Sequence, residues 1–177
     1  KVVSRKLAKL VFNDGCAISI DNDEADQFLQ SVFNDNKFRK NFGEELEAGY
    51  AIGGLVLRPY VDTKTNKIKI SFCRADTFYP LQSNTNDISE AAIATITQQN
   101  EGKKNVYYTL LEFHEWENST YYIRNELYRS EEQSQTGVRV PLPTLDKYKE
   151  LKEETALVGF TRPLFVYIKL AGKNNID

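Results

Sequence analysis

The chain of 177 residues has no methionine, two cysteines, one histidine and one tryptophan. Each scarcity removes a class of function. Cys16 and Cys73 lie far apart and fit no CxxC spacing, so neither a metal cluster nor a disulfide framework is expected. Two unpatterned thiols suit a reducing cytoplasm. A catalytic zinc site needs three protein ligands, and His114 alone, with no HExxH around it, does not supply them. No apolar run approaches the roughly 18–20 residues of a membrane span, and no secretory signal opens the sequence. GxGxxG, P-loop and GxSxG patterns are missing. Gly53-Gly54 has no Lys-Ser or Lys-Thr behind it and reads as a tight passage from helix to strand. Basic charge is not in excess either. The net charge is −2 and the pI about 5.6, with Lys and Arg interleaved among acids, whereas a domain that grips DNA shows a basic face. The missing methionine, with a start at Lys1, suggests a piece cut from a longer chain.

What is present is an ordinary globular composition, 41% hydrophobic and 27% charged, in a chain long enough to bury a core. The expected fold class is α+β, with N-terminal helices packed on a mainly antiparallel sheet built from hairpins. A single domain over 1–177 is expected, with 1–53 mainly helical and 54–177 mainly β. Val3, Leu7, Leu10 and Val11 recur at helical spacing until Asn13-Asp14-Gly15. Cys16, Ile18 and Ile20 then alternate as a short strand. Asp21-Asn22-Asp23 caps a second helix carrying Phe28, Leu29, Val32 and Phe33, and a third helix puts Phe38, Phe42 and Leu46 on one stripe. Leu7, Leu10, Phe28, Phe33, Phe38 and Phe42 are expected to pack the helical layer onto the sheet.

From Leu55 the pattern changes to strands. Stretches 55–61 and 67–73 flank a polar turn, and Pro59, which has no N–H, marks its strand as an edge or a bulge. Phe78-Tyr79-Pro80-Leu81 is a short extended piece, and Ala91 to Thr97 reads as a strand with an Ala-rich helix as the alternative. Thr144 caps a short helix near 145–154, with Leu145, Tyr148 and Leu151 three residues apart. The apolar run 164–168 reads as a central strand covered on both sides.

The chain is organised around 106–129, VYYTLLEFHEWENSTYYIRNELYR, which holds five of the ten tyrosines and the tryptophan. Two aromatic arms around Glu117-Asn118-Ser119-Thr120 predict an antiparallel hairpin. Leu111 and Phe113 share one face of the first arm, against Tyr108, Leu110 and Trp116. Tyr121, Ile123 and Leu127 share one face of the second arm, against Tyr122, Arg124, Glu126 and Tyr128. Leu111, Phe113, Ile123 and Leu127 are expected in the core. Asn118-Ser119-Thr120 matches a glycosylation sequon but reads as a polar turn.

His114 shares its face with Glu112 and Trp116, while Glu115 points away. One histidine and one carboxylate make neither a metal site nor a nucleophile system, so no catalytic, cofactor-binding or metal residue is assigned and no cofactor is expected. The tyrosines could stack bases, yet Glu112, Glu115, Glu117 and Glu126 outnumber Arg124 and Arg129 there. Core packing or a protein interface suits them better. A structural or interaction module follows; the alternative is a small nucleic-acid-binding or enzymatic α+β domain using the Tyr/Trp hairpin.

Five stretches carry a resemblance: KLVFNDGCAISI, AIGGLVLRPYVD, RADTFYPL, YYTLLEFHEWENSTYYIRNELYRS and GFTRPLFVYIKLAGKNNID. In this order, over essentially the whole chain, they resemble the portal protein of tailed phages and prophages of Gram-positive bacteria. The resemblance implies a structural virion protein, made in the bacterial host cytoplasm and placed at the capsid's portal vertex. It implies a ring of subunits, usually a dodecamer, through which double-stranded DNA is packaged and ejected. Its partners would be the other portal subunits, the terminase, the capsid and the head-tail joining proteins, with no membrane. The chain is similar to the N-terminal part of the wing and stops at Asp177, where the family continues toward long stem helices. No catalytic residue is implied, since ATP hydrolysis belongs to the terminase, and this fragment is not expected to bind DNA tightly.

Overall fold

The computed structural model describes residues 2–84, 87–102 and 104–170. The chain divides into two compact units, 1–76 with 164–177, and 77–163. The fold is α+β, helices first and antiparallel sheets after, as the sequence predicts.

The first unit holds three helices, α1 (Val2–Val11), α2 (Asp23–Asp35) and α3 (Phe38–Ile52), and three strands, β1 (Gly54–Asp62), β2 (Lys67–Arg74) and β9 (Val166–Lys169), in the order β2-β1-β9. Asn22 caps α2 through its side chain, which accepts from the Ala25 N–H. The helices meet the sheet through stacked rings. Phe33 lies on Phe38, Phe38 on Phe42, and Phe38 and Phe42 both reach Phe72 of β2. The helices' phenylalanines are thus used against β2, inside this unit, whereas the central hairpin belongs to the second unit. Leu10 and Phe28 are largely outside the packing, 74% and 61% exposed, and Leu7 is also exposed. The predicted strand at 16–20 forms no ladder. The Ile18 carbonyl accepts from Gln30 and the Ile20 N–H donates to Asp26, so α2 takes its polar groups.

Gly53 ends α3 at φ 90° and returns its N–H to the Gly49 carbonyl, a left-handed backbone that only glycine adopts without strain. Pro59 sits opposite Ile70. The Ile70 N–H points away from β1 and donates to Asn36 Oδ1, while Asn36 Nδ2 donates to the Ile68 carbonyl. Pro59 therefore stands in a pair that needs no N–H from it, and β9 reaches only as far as Leu57 on its other side. The last strand, expected at the sheet centre, is instead at an end of the order, with Val166 58% exposed; Phe165 just before it is buried.

The second unit is a six-stranded antiparallel sheet. It contains β3 (Phe78–Asn84), β4 (Asp87–Glu101), β5 (Lys104–Glu117), β6 (Thr120–Ser130), β7 (Val138–Val140) and β8 (Glu154–Leu157), with β7 and β8 both paired to β6. The predicted helix near 145–154 is replaced by two single turns of 3-10 helix, Leu142–Thr144 and Asp146–Tyr148. Three-residue spacing is the 3-10 period, and prolines at 141 and 143 oppose a longer helix. Leu142 and Leu145 close a buried cluster with Val106, Tyr108, Leu110 and Leu127.

Candidate functional site

The central hairpin is β5 and β6, joined by Asn118 and Ser119 at φ 49° and 65°. Two consecutive left-handed residues make the type I′ turn that suits strand twist. This two-residue loop pairs Glu117 with Thr120 and so sets every later pair. Even positions of β5 then share a face with odd positions of β6. The buried face carries Val106, Tyr108, Leu110, Glu112 and His114, with Tyr121, Asn125 and Leu127. Leu111 and Phe113 lie on the opposite face and are half-buried, as is Ile123; of the four residues expected in the core, only Leu127 is fully enclosed. The hairpin itself stands as predicted.

His114, 1% exposed, sits between two partners on this face. Its Nε2 is 2.7 Å from Glu112 Oε1 and its Nδ1 is 2.6 Å from the Tyr121 hydroxyl. One neutral tautomer satisfies both contacts: Nε2–H donates to the carboxylate, and Nδ1 accepts from the phenol. Trp116 and Tyr121 are cross-strand partners with ring centroids 4.8 Å apart, and Phe160 approaches Tyr121 from the returning chain. Asn125, opposite Glu112, donates its backbone N–H to Glu153 and its side-chain NH2 to Lys152. Glu112 and His114 do share a face, as the sequence indicates; Tyr121, the second partner of His114, is the member that sequence reasoning missed. Chemically the group is a buried polar network. Among the described residues, no three His, Cys, Asp or Glu side chains are grouped to hold a metal ion.

Tyr108, Tyr122 and Tyr128 of the hairpin are engaged at their edges or faces. Tyr108 donates to Glu101 and Tyr128 to Glu126, each at 2.6 Å. These carboxylates hold both phenols above their ordinary pKa, with burial adding to the effect. Arg124 lies over the Tyr122 ring and binds three carboxylates, Glu154, Glu115 and Glu117, which raise its pKa in that order of weight. Glu115, pointing away from His114 as expected, has its partner here. Of the four hairpin acids, Glu115 and Glu117 are thus gathered around Arg124, while Glu112 is paired with His114 and Glu126 with Arg139.

Arg129 and Tyr108 hold the Glu101 carboxyl below its ordinary 4.5, the hydrogen bond from Arg129 being the larger cause. A depressed carboxylate stabilises the fold fully above its unfolded pKa, and the benefit is lost as pH falls through the folded value. Urea midpoints of the natural chain and of Glu101→Gln are therefore expected to converge as pH falls below about 4.5. A gap that stays constant between pH 7 and pH 3 would contradict the linkage.

The described helices include none long and apolar enough to cross a membrane. Comparison with known families matches residues 1–161 to one described as "Phage portal protein, SPP1 Gp6-like". Among curated proteins there is no match.

Proposed function

The chain belongs to the SPP1 Gp6-like family of phage portal proteins, and from that premise we propose that it is the N-terminal wing region of a portal subunit. The family has a structural role at the capsid's portal vertex. In the proposal, full-length subunits close into a ring, with a dodecamer as the expected size. Double-stranded DNA is packaged and ejected through its channel, the terminase docks on it during packaging, and the tail is joined to it later. This region supplies an outer scaffold and carries out no chemistry. The observation that carries the reading is the family match over 1–161. The buried His114 network supports it, because its one imidazole is committed to Glu112 and Tyr121 inside the sheet's covered face.

Electron microscopy of the full-length protein is expected to show closed rings with a central channel. Light scattering on residues 1–177 alone is expected to show a monomer or small oligomer, since ring closure draws on contacts from the stem and crown as well. A full-length protein that remains monomeric at every salt concentration would overturn the portal reading. A stable ring formed by 1–177 alone would move the assembly determinants into this region.

A further inference from the structure

A sheet edge without a ladder partner among the described residues runs along the second half of β4. The ladder from β3 covers β4 only from Asp87 to Ile93. From Ala94 to Glu101 β4 pairs only with β5 among the described residues. Natural edges are usually blunted by charge, proline or a bulge. β3 carries Pro80 and a register shift beside it, and Asn36 clamps the outer edge of β2. Within β4 itself no charged residue or proline stands between Glu90 and Glu101, and its register with β5 is unbroken. Lys147 brings a charge to this stretch from outside the strand, but it donates to the Thr97 hydroxyl and leaves the backbone groups of the edge untouched. Thr95, Ile96 and 98–101 are exposed, Ile96 to 46%.

Backbone phase identifies the groups on offer. The Asn125 N–H leaves β6 outward to Glu153, so Asn125 and Glu112 form a close pair without mutual hydrogen bonds. Glu112 then bonds toward β4, and Ile93 bonds back toward β5. By alternation the N–H and C=O groups of Ala94, Ile96, Gln98 and Asn100 face the open edge. The same counting on the far side of the sheet turns Val138 and Val140 of β7 inward to β6 and turns Arg139 outward.

We propose that neighbouring copies of this chain join edge to edge, with Ile96 of β4 in one copy paired to Arg139 of β7 in the next. Three features match. Strands β4, β5, β6 and β7 alternate in direction, so a copy in the same orientation presents its β4 antiparallel to β7. Following the registers across the sheet puts Thr95, Ile96 and Thr97 level with Val140, Arg139 and Val138. In that level register both Ile96 and Arg139 turn their backbone groups outward, so they exchange two hydrogen bonds. Thr97 meets Val138 and Thr95 meets Val140 as close β-branched pairs on the same face. The Arg139 charge is already held by Glu126 at 2.8 Å, so it enters the neutral edge compensated. A ring needs two different patches on each subunit, and these edges are two such patches. The contact is short, in keeping with a ring that needs further contacts to close. The inference rests on the portal reading.

The test uses the full-length protein with Cys16, Cys73 and any other cysteine replaced by Ser, and with Thr97→Cys and Val138→Cys introduced together. A close antiparallel pair has the geometry a disulfide needs. Oxidation is expected to give a ladder of covalent oligomers on a denaturing gel, and neither single variant is expected to crosslink. Ile96→Pro, which deletes one outward N–H, is expected to lower the ladder's yield about tenfold, the weight of one interchain hydrogen bond. Rings seen by microscopy with no ladder would overturn the edge contact and leave the portal reading intact. Crosslinking by Thr97→Cys alone would replace it with a two-fold β4-to-β4 contact. A ladder without rings would support the edge contact and overturn the ring.

Discussion

Leu127→Ala is expected to lower the unfolding free energy by about 3–5 kcal/mol, while Leu111→Ala, in the neighbouring strand, is expected to cost about 1–2 kcal/mol. Leu127 is wholly enclosed. It faces Leu110 across the hairpin as a close pair, and Leu142 and Leu145 close over it from the 3-10 turns. Truncation there removes transfer energy and leaves a cavity whose walls belong to three separate segments, so collapse is difficult. Leu111 is half-buried on the other face, so less apolar surface is lost and water takes the space. Urea unfolding of the two variants decides the matter. Equal losses would mean that the two faces are equally covered, and the assignment of the buried face would be wrong.

Much of this fold is legible in the sequence, and the failures share one cause. The hairpin position, its Asn-Ser turn, the three helices and the β1–β2 pair all follow from local patterns. The matching of the two arms does not follow from each arm's own alternation. Leu111 and Phe113 look like the core of β5 because they are its cleanest apolar pair, and Ile123 and Leu127 look the same in β6. A two-residue loop places those two sets on opposite faces. Counting from Asn118-Ser119 would have given the answer, because a I′ turn admits no other parity. The run at 164–168 failed for a related reason. Continuous apolarity suggests cover on both sides, but the position of a strand in its sheet depends on partners far away in sequence. β9 pairs with β1, more than a hundred residues earlier, and lies at an end of the three-stranded order. Leu10 and Phe28 show the same limit in the helices: period reveals an apolar stripe and not whether a neighbour covers it.

The polar network on the buried face supports the second large effect. His114→Ala is expected to cost about 3–5 kcal/mol, because it leaves the buried Glu112 carboxylate without the N–H it accepts from. The variant deletes the N–H that Glu112 accepts and the nitrogen that takes the Tyr121 proton, and both of those residues stay enclosed. Tyr121→Phe keeps the ring beside Trp116 and Phe160 and loses only the hydroxyl, so about 1–3 kcal/mol is expected, the cost of one buried partner left short. The informative variant combines Glu112→Leu, His114→Leu and Tyr121→Phe. Buried ionic groups exchanged together for apolar ones of similar size are often neutral in stability, so the triple variant should recover most of what His114→Ala loses. That recovery would identify the network as a device for placing strands, since an apolar face accepts more than one register and a histidine between a carboxylate and a phenol accepts few. Chemical denaturation gives the energies, and amide exchange along β5 and β6 gives the register. A triple variant as unstable as His114→Ala would show that the network holds the sheet through its bonds. A stable triple variant with slower exchange than the natural chain would remove any role for it in choosing the register.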